Sequence, residues 1–119
     1  MLRSVGRLLR AHGFQSVPFD TAEALQDNGK FDRAFCIILD INLRDGSGIE
    51  LRYRLAASGV TLPVIYITGN YSEATRTAAI ESGCLAYLTK PFTATSLIEA
   101  VENASTKDAA SEHILQNAH

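Results

Sequence analysis

Residues 33–51 read RAFCIILDINLRDGSGIEL, and this stretch decides the fold. Ala34, Phe35, Cys36, Ile37, Ile38 and Leu39 form an unbroken apolar run. The run is short for a buried helix and rich in β-branched and aromatic side chains. It therefore reads as a strand covered on both faces, as in a parallel sheet between helices. It ends on a carboxylate, Asp40. A glycine-punctuated loop follows (Arg44, Asp45, Gly46, Ser47, Gly48), and a helix is predicted from Ile49. In open α/β sheets, ligands and chemistry sit outside the carboxyl ends of the strands, which is where Asp40 stands. Taken alone, Asp40 reads equally well as a strand end that starts a turn.

On the amino-terminal side, Leu2, Val5, Leu8 and Leu9 recur at helical spacing, and Gly13 reads as the stop. Arg3, Arg7 and Arg10 share the other face, which reads as a solvated stripe. Residues 16–19 form a short strand. Pro18 cannot donate to a ladder, so this should be an edge strand. Asp20 and Glu23 fit a capping box for a helix over 21–27.

On the carboxyl-terminal side the predicted order is helix 49–57, strand 62–68, helix 72–82, strand 85–88 and helix 93–104. In the last helix Leu97, Ala100, Val101 and Ala104 make the apolar stripe. Residues 105–119 are polar and weakly patterned, and read as a helix extension or a flexible tail. The domain is thus assigned to 1–104, with 105–119 as an appendage.

At 119 residues the chain is one domain, and 46% hydrophobic content can fill one core. A net charge of −2 argues against direct nucleic-acid binding. No apolar run approaches the roughly 18 residues of a membrane span, and the amino terminus has no apolar h-region. Cys36 and Cys84 read as small core residues in a reducing, cytoplasmic setting. His12, His113 and His119 have no metal-ligand spacing.

The alternation of helices and strands specifies a parallel α/β sheet with right-handed crossovers. Three consecutive strands deliver a polar group to one edge: Asp40, Thr68 and Lys90. A carboxylate nucleophile, a hydroxyl donor and an ammonium together suggest phosphoryl chemistry.

With these residues in place, the chain resembles the receiver domain of a two-component response regulator. The match rests on Leu39-Asp40-Ile41-Asn42-Leu43 with Gly48, on Ile65-Tyr66-Ile67-Thr68-Gly69, and on Ala86-Tyr87-Leu88-Thr89-Lys90-Pro91-Phe92. It covers nearly the whole chain to about Ala104. The resemblance implies a flavodoxin-like, doubly wound parallel sheet of order 2-1-3-4-5. It implies a non-enzymatic signalling module in which Asp40 accepts a phosphoryl group from a histidine kinase or phosphotransfer protein. Thr68 and Lys90 would bind the phosphoryl oxygens, Tyr87 would be the inward-turning aromatic switch, and a cis peptide would precede Pro91. Mg²⁺ would take Asp40 and the Asn42 backbone carbonyl. The output would be a protein-protein contact on the faces of residues 72–82, 85–88 and 93–104, with no direct nucleic acid and no membrane.

Two departures stand out. Arg44 replaces the family's usual proline. The chain also begins inside what would be the first helix, so the family's first strand and its Mg²⁺-binding acidic pair are absent from these residues, and the metal site is incomplete. A phosphorylation-independent interaction module is therefore the alternative to a working receiver. A flavin-binding flavodoxin-like protein is weaker, since no hydroxyl-rich phosphate loop is present. The gap left by the first strand also has structural consequences. Either the Pro18 strand pairs directly with the Asp40 strand, bringing Asp20 towards Asp40, or a homodimer forms by strand swapping, or the chain is partly molten. The swapped dimer is expected over direct closure, because close-packed cores resist repacking over a narrower sheet.

Overall fold

The computed structural model describes residues 2–19, 21–29, 31, 34–43, 45–69, 72–107 and 114–118. Asp20, Arg44, His113 and His119 lie outside the described residues, and with them the expected roles of Asp20 as helix cap and second carboxylate.

Helix α1 (Leu2–Ala11) leads into strand β1 (Gln15–Phe19). Between them Gly13 takes φ +84°, a conformation that L side chains rarely adopt, and the Phe14 N–H turns back to the Leu9 carbonyl. Helix α2 (Ala22–Asn28) follows, then β2 (Cys36–Asp40). Two short strands, β3 (Asn42–Leu43) and β4 (Gly46–Ser47), pair antiparallel just beyond β2, where a plain loop was expected. Helix α3 (Gly48–Ala57), β5 (Val64–Thr68), α4 (Glu73–Glu81), β6 (Ala86–Thr89) and α5 (Ala94–Lys107) complete the anticipated alternation.

A further strand, β7 (Ile114–Ala118), was not anticipated. It lies inside the main sheet, whose order is β1-β7-β2-β5-β6 with every pair parallel. Residues 105–107 prolong α5, and 114–118 form a strand that the sequence reading did not include. Its place in the sheet corrects the idea that the Pro18 strand closes directly on the Asp40 strand, because β7 stands between them. The physical reason is tertiary. A pentapeptide ILQNA has no periodicity of its own, but two parallel edges one strand-width apart offer it main-chain partners on both sides. As expected from Pro18, β1 is at the edge.

The sheet is packed on both faces, which explains the unbroken apolar runs. In β2, Cys36 and Ile38 join Val5, Leu9, Leu97 and Val101 on the α1/α5 side. Ile37 and Leu39 join Leu25, Leu51 and Leu55 on the α2/α3 side. β5 repeats this alternation, with Ile65 and Ile67 on the first side and Val64 and Tyr66 on the second. All five residues of each strand are buried. Leu97, Ala100, Val101 and Ala104 are buried along α5, as the spacing predicts. Each fully buried Leu or Val contributes about 1.5–3 kcal/mol relative to exposure.

Candidate functional site

The register of the sheet brings the polar strand ends together. Asp40 is level with Ile67, so Thr68 stands one step further along β5, and Thr68 is in turn level with Thr89 of β6. The Lys90 N–H continues that ladder to the Thr68 carbonyl at 2.8 Å, and Lys90 is followed by a cis bond to Pro91. The Lys90 side chain then reaches across the neighbouring strand. Its Nζ lies 3.2 Å from Asp40 Oδ2. The other carboxylate oxygen, Oδ1, accepts the Asn42 N–H at 2.9 Å. Both oxygens of Asp40 are thus engaged, and the residue is only 9% exposed.

Thr68 is almost fully buried at 1%, one of two polar residues in the described core, the other being Asp40. Tyr87, on β6, packs against the α2/α3-side cluster and its hydroxyl oxygen is out of contact with solvent. The ring is therefore turned inward.

The loop beyond Asp40 is fixed tightly. The Gly48 N–H donates to the Ile41 carbonyl at 2.9 Å, and a Cβ on Gly48 would collide with the Asp40 carbonyl oxygen. Glycine is required here by close approach of two backbones. Ser47 caps α3 by accepting the Ile49 N–H.

Sequence reasoning missed the next residue in this loop. Asp45 does not face Asp40. Its Oδ1 accepts the Ala22 N–H at 2.8 Å and its Oδ2 the Glu23 N–H at 3.1 Å. It thereby caps α2 from 22 positions away, together with Thr21, whose hydroxyl accepts the Ala24 N–H. These α2 N–H groups hold the Asp45 carboxyl below its ordinary 3.8. Nothing local in the sequence signals this, because a D-G turn looks the same whether or not its carboxylate has a distant partner.

The donor set does not fit Mg²⁺ well. Among the described residues no three His, Cys, Asp or Glu side chains come together. Among the described residues Asp40 is the one carboxylate at the site, its oxygens are held by Lys90 and Asn42, and Asp45 is committed to α2. Mg²⁺ sites use carboxylates in near-octahedral oxygen geometry. A single ammonium-paired carboxylate is a poor start.

Comparison with known proteins agrees with this arrangement. The family model described as "Response regulator receiver domain" matches residues 1–102. Nodulation protein W of Bradyrhizobium diazoefficiens is 32% identical over 108 residues, covering 91% of this chain and 48% of that protein. Transcriptional regulatory protein FixJ of Rhizobium meliloti is 30% identical over 117 residues, covering 98% of this chain and 57% of that protein. The chain spans about half the length of such curated relatives. Among solved structures, the response regulator StyR superposes with a TM-score of 0.84 at 28% identity, over 92% of this chain and 56% of that one. FixJ-N superposes with a TM-score of 0.73 at 29% identity, over 87% and 83%. No described helix is long and apolar enough to cross a membrane. A parallel sheet covered by helices on both faces, a carboxylate and a lysine paired across its carboxyl edge, and a family match over residues 1–102 lead to one conclusion: the chain belongs to the response regulator receiver domain family of two-component systems.

Proposed function

We propose that this chain is a cytoplasmic receiver that takes a phosphoryl group on Asp40 from a histidine kinase or phosphotransfer protein and signals through protein contacts, with no catalytic turnover of its own. The observation that carries the proposal is the Lys90–Asp40 pair, 3.2 Å apart at the carboxyl edge of the sheet with buried Thr68 on the strand between. In the transfer, a carboxylate oxygen of Asp40 bonds to phosphorus as the bond from phosphorus to the donor's imidazole nitrogen breaks, leaving an acyl phosphate and a free histidine. The product adds about −1.5 to −2 charges beside Lys90. The ammonium can follow that charge off the carboxylate, and Thr68 can donate its hydroxyl to a phosphoryl oxygen once it turns toward the edge. The rearrangement reaches Tyr87 on the adjoining strand. Partners are expected on the α4, β6 and α5 face, where Ile80 is 52% exposed.

Receiver domains generally use Mg²⁺ for this chemistry. The donor set described above supports only slow transfer, since charge on the moving group is left uncompensated by metal. The same observation favours a second reading, in which the paired Asp40 is a fixed element of a phosphorylation-independent interaction module.

The test is to incubate the full chain with a small-molecule phosphodonor and Mg²⁺, trap the acyl phosphate and map it. Slow labelling of Asp40, lost in Asp40→Asn, is the expected result. No label under any donor supports the interaction module, and label on Asp45 overturns the site.

A further inference from the structure

We propose that Asp45 is a positioning residue for the Asp40 carboxylate: its clasp on α2 anchors the β3–β4 pair, and that pair holds the Asn42 N–H on Asp40. The inference rests on Asp40 as the phosphoacceptor, and its test separates the two.

The contacts form a chain. Asp40 Oδ1 accepts the Asn42 N–H at 2.9 Å. Asn42 opens β3 and pairs with Ser47 of β4, and Leu43 pairs with Gly46. Asp45 immediately precedes β4, on the side of the Leu43–Gly46 pair away from Asp40. From there its two carboxylate oxygens reach the Ala22 and Glu23 N–H groups of α2, 2.8 and 3.1 Å away. Hydrogen bonds to an ionised carboxylate are roughly twice as strong as neutral ones.

A hairpin with two residues in each strand does not hold its shape in water unaided. The β3–β4 pair therefore depends on its attachments. At its base the Gly48 N–H binds the Ile41 carbonyl, and Ser47 caps α3. Leu43 sends one side chain into the α2/α3-side core. Asp45 fixes the far end, and with it the angle at which Asn42 presents its N–H. Helix α2 has a cap of its own in Thr21, which accepts the Ala24 N–H at 3.0 Å. What Asp45 adds is the link between α2 and the acceptor loop. With that link cut, Oδ1 loses its fixed donor and Lys90, 3.2 Å from Oδ2, is left to pull the carboxylate towards β6. A misplacement of about 1 Å can slow a reaction by roughly a hundredfold.

The test labels the full chain with acetyl phosphate and Mg²⁺ and compares the parent with Asp45→Ala and Thr21→Ala. Both changes remove a cap from α2, but only the first releases the hairpin. Asp45→Ala is expected to slow Asp40 labelling by about tenfold, with Thr21→Ala labelling at the parental rate. Asp45→Asn keeps one acceptor oxygen, falls between the two, and stands in for Asp45→Ala should that variant not fold. The amide proton of Asn42 is the second readout. In Asp45→Ala, and not in Thr21→Ala, it should move upfield and exchange faster with solvent. A parental labelling rate in Asp45→Ala overturns the proposal, as does equal slowing by Thr21→Ala, which would make Asp45 a helix cap and nothing more. If the parent itself takes no label, Asp40 fails as phosphoacceptor and the Asn42 amide decides. An amide that moves upholds the positioning role, and one that stays overturns it.

Discussion

With one oxygen of Asp40 on the Asn42 N–H and the other on the Lys90 ammonium, the carboxylate is neutralised before any phosphoryl group arrives. Asp40 is largely buried and Lys90 about three-quarters so, and removing the ammonium leaves a mostly buried carboxylate with its charge uncompensated. Lys90→Ala is therefore expected to lower the urea midpoint by more than a surface ion pair would, and to uncouple Asp40 modification from the Tyr87 ring resonances. Equal Tyr87 shifts in mutant and parent would remove Lys90 from the switch. Asp45 contributes differently. Its folded-state pKa is depressed, so its clasp on α2 is fully present above the ordinary 3.8 and is lost as pH falls through the lower folded value. The stability difference between parent and Asp45→Ala should be constant at neutral pH and shrink on the acid side. A difference that persists below the folded pKa would mean the carboxylate charge is not what caps α2. Asp40, Thr68 and Lys90 were legible in the sequence because each ends an apolar run, and the sheet brings run ends together. Asp45 was not, because its partners lie 22 and 23 residues away and leave no mark on its neighbours.

Gly48, at the start of α3, lies directly against the backbone at the end of β2. Gly48→Ala would force a methyl group into the Asp40 carbonyl oxygen, and backbone cannot swing aside as a side chain can. Overpacking of this type costs about 1–3 kcal/mol. Slower labelling of Asp40 should accompany that loss, because the same backbone carries the carboxylate. Unchanged stability and labelling would show that α3 can retreat without disturbing the site. Cys36 reports on β2 from inside the core, where burial pushes its thiol up to about 12. Its stabilising neutral form holds below the ordinary 9.0, and stability should decline as pH rises from there toward 12. A thiol reagent at neutral pH should modify half-buried Cys84 first and reach Cys36 only as the sheet opens. Helices and strands with strong period were read correctly within a few residues. β7 was not, since a strand selected by two waiting edges carries its instructions in those edges and not in its own five residues.

At the scale of the whole molecule, the two faces of the sheet are separate cores that share strands β2 and β5. Val101→Ala on one side and Leu51→Ala on the other should each destabilise the chain, Leu51→Ala by about 2–5 kcal/mol, and their effects should add because the side chains lie on opposite faces. Marked non-additivity in urea unfolding would instead reveal one coupled core. The position of β7 adds a question of timing. Ile114 pairs with Gln15, near the other end of the chain, and β7, an inner strand of the sheet, is among the last stretches of these residues to leave a ribosome. Until it emerges, β1 and β2 have been made but lack their common neighbour, and loop closure over most of the chain must precede the pairing that rewards it. The nascent chain thus passes through a stage in which its most apolar edge is open, where aggregation competes with completion. Holding the chain on the ribosome with residue 113 just clear of the exit tunnel should leave it protease-sensitive, and releasing five more residues should bring protection abruptly to β1 and β2 together.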